Sequence, residues 1–263
     1  MCELSGEVLH DEVVMNESNI QKKYFFEPVG TVLALLPFDF PILESINCLV
    51  PSILCGNACL LKDSTACPTI ANHFEKSLEE KAPGLAQKFF IDPLDVQDLY
   101  RRKRVNYVAF TGTYEVALDV YYELAQNDFI DCSLDLGGLN HAYVDETCED
   151  KLDKIADACL WGVFYNSGQS RNDIQSILVH ESLFNKFTNM LSEKVYETLV
   201  LKDPMDETSN FGCIPFPEAI DIMDNMVDDA VKQGATVTIG GFKNTDESGF
   251  GRFYEPTLIA NVH

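Results

Sequence analysis

The chain has 263 residues, 46% of them hydrophobic and 23% charged, the balance of a folded globular protein and not of a disordered one. Forty-two acidic side chains against 19 basic ones leave a net charge of −23. That surface repels phosphate backbones and anionic membranes, so neither nucleic acid nor a membrane is an expected partner.

Residues 1–23 are polar and acidic and read as a tail or an edge strand. The β-branched and apolar run at 30–37, ended by Pro37, reads as a buried strand. Residues 40–54 have helical spacing and stop at Gly56-Asn57. A short strand at 59–62 and an amphipathic helix at 69–80 follow, then a weak strand at 89–91. The run 105–110 is a stronger strand and leads through Thr111-Gly112-Thr113 into a helix at 114–126. A strand at 133–136 ends at Gly137-Gly138. Strand and helix alternate throughout, which predicts a parallel sheet with helices on its faces.

The alternation restarts after Gly138, with strands at 142–145 and 176–180 around a long helix at 148–165. Helices at 183–199 and 217–233, a strand at 235–241 and an extended segment at 253–262 complete the chain. The division this suggests is a tail at 1–23, a cofactor-binding domain at 24–137 and a partial catalytic domain at 138–263.

The stretch 29–61 is the most hydrophobic, but Pro37, Asp39, Pro41, Glu44, Pro51 and Gly56 interrupt it, so no membrane-spanning helix is expected. The first ten residues carry neither a basic start nor an apolar run, so no signal peptide is expected and the placement is cytoplasmic. Nine cysteines without zinc spacing read as reduced, structural thiols of an intracellular protein, with a secreted disulfide framework as the other reading, and five scattered histidines offer no metal site. Arg101-Arg102-Lys103-Arg104 stands out in so acidic a chain; it reads as a solvated helix end or loop, with a localisation signal or anionic-partner patch as the other reading.

Two features could carry chemistry. One is the strand that enters the turn Pro37-Phe38-Asp39-Phe40-Pro41; the other is the strand, Phe110-Thr111-Gly112-Thr113, helix junction. Each would place backbone N–H groups at a helix start behind a parallel strand, a phosphate cradle, and each could equally be a tight structural turn.

The order of six motifs adds to this. They are EPVGTVLALLPFDFP from Glu27, PSILCGNACLLKDS from Pro51, VAFTGTYEVA from Val108, LDLGGLN from Leu134, FYNSGQSR from Phe164 and GRFYEPTL from Gly251. Together they resemble the aldehyde dehydrogenase family, whose corresponding segments read P-W-N-F-P, G-N-x-V-V-x-K-P-S, F-T-G-S, L-E-L-G-G, F-x-N-x-G-Q-x-C and G-x-(F/Y)-x-x-P-T. The resemblance implies an α/β fold with a Rossmann-like open parallel sheet and a truncated second α/β catalytic domain. It implies NAD or NADP as cofactor, no metal, and a family-type oligomer or an intact dehydrogenase as partner.

The resemblance places Leu36, Pro37, Phe38, Lys62, Thr65, Gly112 and Thr113 at the cofactor. Lys62 matches the lysine that touches the adenosine ribose, and Thr113 faces the pyrophosphate. Thr65 stands where many members carry a glutamate that selects NAD, which weakens a preference for NAD over NADP. The family's cysteine nucleophile falls on Arg171, its general base on Asp135 and its oxyanion-donating asparagine on Asp39. A guanidinium cannot form a thiohemiacetal, and a carboxylate repels a developing oxyanion. Asp135 keeps a carboxylate on a side chain one methylene shorter. The resemblance further implies family helices ahead of the first motif and a segment after the last that holds the nicotinamide ribose, and the expectation is that both are missing here. The expectation is a pseudoenzyme acting, if at all, as a binding or regulatory module, with a residual NAD(P)-dependent aldehyde oxidoreductase or a non-functional fragment as the alternatives; Arg171 is expected to pair with Asp39 or Asp135 because an isolated buried charge is costly, the other reading being that it turns to solvent.

Overall fold

The computed structural model describes residues 1–91, 93–245 and 252–262 and divides into two compact units, Met1–Gly137 and Gly138–His263. Each is described by itself.

The first unit opens with helix α1 (Cys2–Val8) and an antiparallel hairpin, β1 (Glu12–Glu17) and β2 (Ile20–Tyr24). No side chain among residues 1–30 is buried. A five-stranded parallel sheet follows, made of β3 (Thr31–Leu35), β4 (Ala58–Lys62), β5 (Ala86–Lys88), β6 (Tyr107–Gly112) and β7 (Asp131–Leu136) in the order β5-β4-β3-β6-β7. Successive β3 side chains alternate between its two faces, as the period of a strand requires. Leu33 and Leu35 join one core with Val108, Phe110, Tyr100, Ala117 and Leu124, while Ala34 and Leu36 join the other with Leu49, Leu61 and Ala71. The first core lies under α4 (Gln97–Arg101) and α5 (Tyr114–Gln126), the second under α2 (Pro41–Leu54) and α3 (Ile70–Glu79). Pro41 begins α2, where its missing N–H costs nothing.

Three sequence expectations shift here. The strand expected at 89–91 lies at Ala86–Lys88, because pairing ends where the Phe89 amide donates to the Leu61 carbonyl and the side chains of Phe89 and Ile91 turn into the core. The β6 strand starts at Tyr107 instead of Val105, since Asn106 turns its side chain to accept the Thr31 amide at 2.9 Å. The basic run 101–104 ends α4 and forms a turn in which Arg101, Arg102 and Lys103 pair with Glu123, Asp98 and Asp128. Such exposed pairs contribute little stability, and they fit the reading of a solvated helix end.

Tyr100 is almost fully buried, and its hydroxyl has no hydrogen-bond partner among the described residues. Burial also pushes the phenol's pKa up. Tyr100→Phe removes the unsatisfied group and is expected to raise stability by about 1 kcal/mol; a lower denaturation midpoint would contradict this.

The second unit pairs β8 (Asn140–Val144) and β9 (Ile174–Val179) in parallel. Helices α6 (Leu152–Phe164) and α7 (Phe184–Thr198) close a core of Val144, Leu152, Ala156, Leu160, Phe187, Leu191 and Val195. The helix expected at 148–165 is split: a 3-10 turn, Glu146–Lys151, precedes α6, because Asp145 caps it by accepting the Thr147 amide. Lys194 of α7 reaches Asp153 and Asp157, one turn apart on α6, at 3.0 and 2.5 Å. Helix α8 (Pro217–Lys232) holds Lys243 between Asp221 and Asp224. Strand β10 (Thr236–Ile239) pairs antiparallel with β13 (Leu258–Ala260), and β11 (Lys243–Asn244) with β12 (Phe253–Tyr254). The extended segment expected at 253–262 is therefore two short strands around Glu255-Pro256-Thr257. Gly251 of the last motif and the terminal His263 lie outside the described residues.

Candidate functional site

The strand order β5-β4-β3-β6-β7 reverses direction between β3 and β6, and in open parallel sheets ligands bind beyond the strand carboxyl ends at such a reversal. The first unit's candidate positions all lie at that edge. Leu36, Pro37, Phe38 and Asp39 leave β3, and Lys62 ends β4, opposite Leu35. Gly112 ends β6, and Asp135 lies opposite Thr111 on β7. The Leu36 amide donates to the Lys62 carbonyl at 3.0 Å, which extends the pairing by one residue and fixes where the chain turns away.

Gly112 is a close-approach position: a Cβ there would lie 2.7 Å from the Phe110 ring. Thr113 is the N-cap of α5, exposed and extended, and its side chain makes no cap hydrogen bond. The first-turn amides of α5 therefore point outward without a side-chain cap, as an anion cradle requires. The Lys62 ammonium donates to the Asp63 carbonyl at 3.3 Å. Asp63 is buried and caps α3, its two oxygens accepting the Ala71 amide at 3.1 and 2.9 Å. Burial pushes its carboxyl above the usual range against the pull of those N–H groups. Thr65 follows in the loop to α3.

Sequence reasoning missed three side chains here. Cys48 is half-buried on α2, and its thiol is pushed up to about 11 by burial first, then by the nearby charges of Glu44 and Asp135. Glu44 and Cys48 stand four residues apart and share a helix face. Asp39 and Glu44 are both buried. The signal was present as a glutamate one turn inside an otherwise apolar helix, but only the fold brings Cys48, on the same face, near Asp135. Cys67 lies on the same edge, its thiol 4.0 Å from the Pro37 carbonyl and raised by burial and by Asp63 and Asp39. A thiol held protonated is a poor nucleophile.

Arg171 belongs to the second unit, in a turn between α6 and β9. The backbone that leads to it is left-handed for three residues: Asn166 (φ 51°), Ser167 (φ 61°) and Gly168 (φ 71°). Two of these are not glycine, a cost of roughly 1 kcal/mol or more each that surrounding bonds must offset. The Gly212 amide donates to Ser167 Oγ at 2.7 Å, and Asn140 Nδ2 donates to the carbonyls of Arg171 and Asp173 at 3.4 and 3.2 Å. The Ser170 amide donates to the buried Asp173 carboxylate at 3.0 Å, while Ser170 Oγ accepts the Asn172 amide. The loop is thus held on several sides, yet the side chain it presents is a guanidinium. Among the described residues no group of three or more His, Cys, Asp or Glu could hold a metal ion, and no helix is long and apolar enough to cross a membrane.

The model of the "Aldehyde dehydrogenase family" matches residues 1–263. The 3-sulfolactaldehyde dehydrogenase of Priestia megaterium is 31% identical over 239 residues, 90% of this chain and 48% of that protein. An NADP(+) succinate-semialdehyde dehydrogenase of Deinococcus radiodurans is 27% identical over 237 residues, 89% of this chain and 48% of that protein. Among solved structures, 3,6-anhydro-L-galactose dehydrogenase in complex with NAP matches with a TM-score of 0.88 and 26% identity, over 100% of this chain and 55% of that one. Betaine aldehyde dehydrogenase of Staphylococcus aureus in complex with NAD+ matches with a TM-score of 0.85 and 27% identity, over 96% and 50%. The chain spans about half the length of the curated relatives it matches.

Proposed function

Because the chain belongs to the aldehyde dehydrogenase family, we propose that it is a pseudoenzyme of that family, a binding or regulatory module that does not oxidise aldehydes. The observation that carries this is Arg171, a guanidinium on the loop where the family's motif has its cysteine. Without a thiolate no thiohemiacetal forms, so there is no intermediate from which a hydride could leave. Asp39 adds a carboxylate where the family donates a hydrogen bond to the oxyanion, and Asp135 alone has no thioester to hydrolyse. The proposal includes a cytoplasmic location and a family-type oligomer or an intact dehydrogenase as partner.

The first unit's edge fits the adenosine and pyrophosphate end of NAD(P): Lys62 offers an ammonium, and the first turn of α5 after Gly112 and Thr113 offers uncapped amides. Leu36, Pro37 and Phe38 would flank it, and Thr65 offers no carboxylate to reject a 2′-phosphate. When bound, NAD(P) supplies a hydride acceptor, which this chain's side chains have no means to use.

The function is tested by supplying the purified chain with NAD+ or NADP+ and a panel of aldehydes, and following reduced cofactor. No turnover above the protein-free rate is expected. Turnover that disappears in Asp135→Asn would overturn the proposal.

A further inference from the structure

A concave notch lies at the amino ends of β6 and β7, at the opposite end of these strands from Gly112 and Asp135. Its volume is about 310 Å³, at the small end of ligand pockets. Two loops form it, one running from α4 into β6 and the other from α5 into β7. Lys103 of the first and Asp128 of the second join them in an ion pair of 2.5 Å. Two carboxamides line the notch, and bonds made elsewhere fix the orientation of each. Asn106 Oδ1 accepts the Thr31 amide at 2.9 Å, which leaves its Nδ2 as a donor. Asn127 Nδ2 donates to the Glu123 carbonyl at 2.7 Å, which leaves its Oδ1 as an acceptor.

Phe129 completes the lining. Its backbone is left-handed, with φ 54°, and its side chain is 83% exposed. A bulky residue in that region is costly, and burial of the ring offsets little of it here. An aromatic face with a fixed donor and a fixed acceptor beside it is the chemistry that reads an unpaired base, by stacking and by hydrogen bonds to the base's edge. Charge narrows the ligand further. Lys103 is already paired with Asp128, and Asp131 adds a carboxylate that makes no ion pair among the described residues. The whole chain carries −23, so a phosphorylated ligand is repelled. We propose that this notch binds the base of an uncharged nucleoside. The base stacks on Phe129, donates from its edge to Asn127 Oδ1 and accepts from Asn106 Nδ2. The site is separate from the carboxyl end of the sheet, whose uncapped amides at α5 suit a phosphate.

The test titrates the full chain with adenosine and, separately, with adenosine 5′-monophosphate, following backbone amide shifts by NMR. Saturable binding of adenosine is expected, with shifts centred on residues 103–106 and 127–131. The monophosphate should bind there about tenfold more weakly. Phe129→Ala, at an exposed position, should weaken adenosine about tenfold without lowering the melting temperature, and Phe129→Trp should restore the affinity because it restores the stacking face. No saturation at millimolar adenosine, shifts confined to 36–38, 62–65 and 112–113, equal binding of the monophosphate at the notch, or unchanged affinity in Phe129→Ala would each overturn the proposal.

Discussion

Phe187→Ala is expected to destabilise the second unit by about 3–5 kcal/mol, enough to unfold most small domains. Phe187 is 2% exposed on α7 and shares a core with Leu152, Ala156 and Leu160 of α6 and Val144 of β8. Truncation removes most of a ring's buried surface and leaves a cavity in a close-packed core whose walls relax only in part. Chemical denaturation followed by circular dichroism measures the loss. A cost below about 1 kcal/mol would mean that this core is not packed as described.

Gly240→Ala is expected to cost about 2–3 kcal/mol or more. Gly240 has a φ of +70°, and a Cβ there would lie 2.2 Å from the Pro256 carbonyl oxygen and 2.7 Å from Thr257 Oγ1. The left-handed backbone alone costs an alanine about 1 kcal/mol; the clash adds the displacement of a backbone segment joined to β13. The neighbouring Gly241 amide donates to the same Thr257 hydroxyl at 2.9 Å, so shifting the 256–257 segment also strains that bond. Thermal melting of the variant against the parent checks it. An unchanged midpoint would contradict the packing of β10 against β13.

The long elements were legible because their signals repeat. Helices α2, α5, α7 and α8 carry apolar residues at helical spacing over 13 to 16 residues, and two of them begin on a proline. The buried strands β3 and β4 are short apolar runs closed by a proline or by a polar loop. Helices α1 and α4, of seven and five residues, are too short for any period to show, and α4 follows a proline that also reads as a loop. The β1–β2 hairpin hides in acidic sequence because neither strand has a buried face to impose alternation.

The candidate positions became legible through motif order, since Pro37, Lys62, Gly112 and Asp135 are far apart in the chain and meet only at one sheet edge. Glu44 and Cys48 could not be assigned from sequence, because their significance lies in what α2 faces. Neither could the left-handed backbone at Asn166 and Ser167, which depends on the Gly212 amide 45 residues away.

The most direct test of the account is intact-mass spectrometry of the chain after incubation with an aldehyde, NAD+ and NADP+, quenched in acid. A family nucleophile would leave an acyl group on the peptide that contains residue 171. With Arg171 in that place, the mass is predicted to be unchanged. An acyl adduct on the 165–173 segment would contradict the claim that this chain has lost the covalent route.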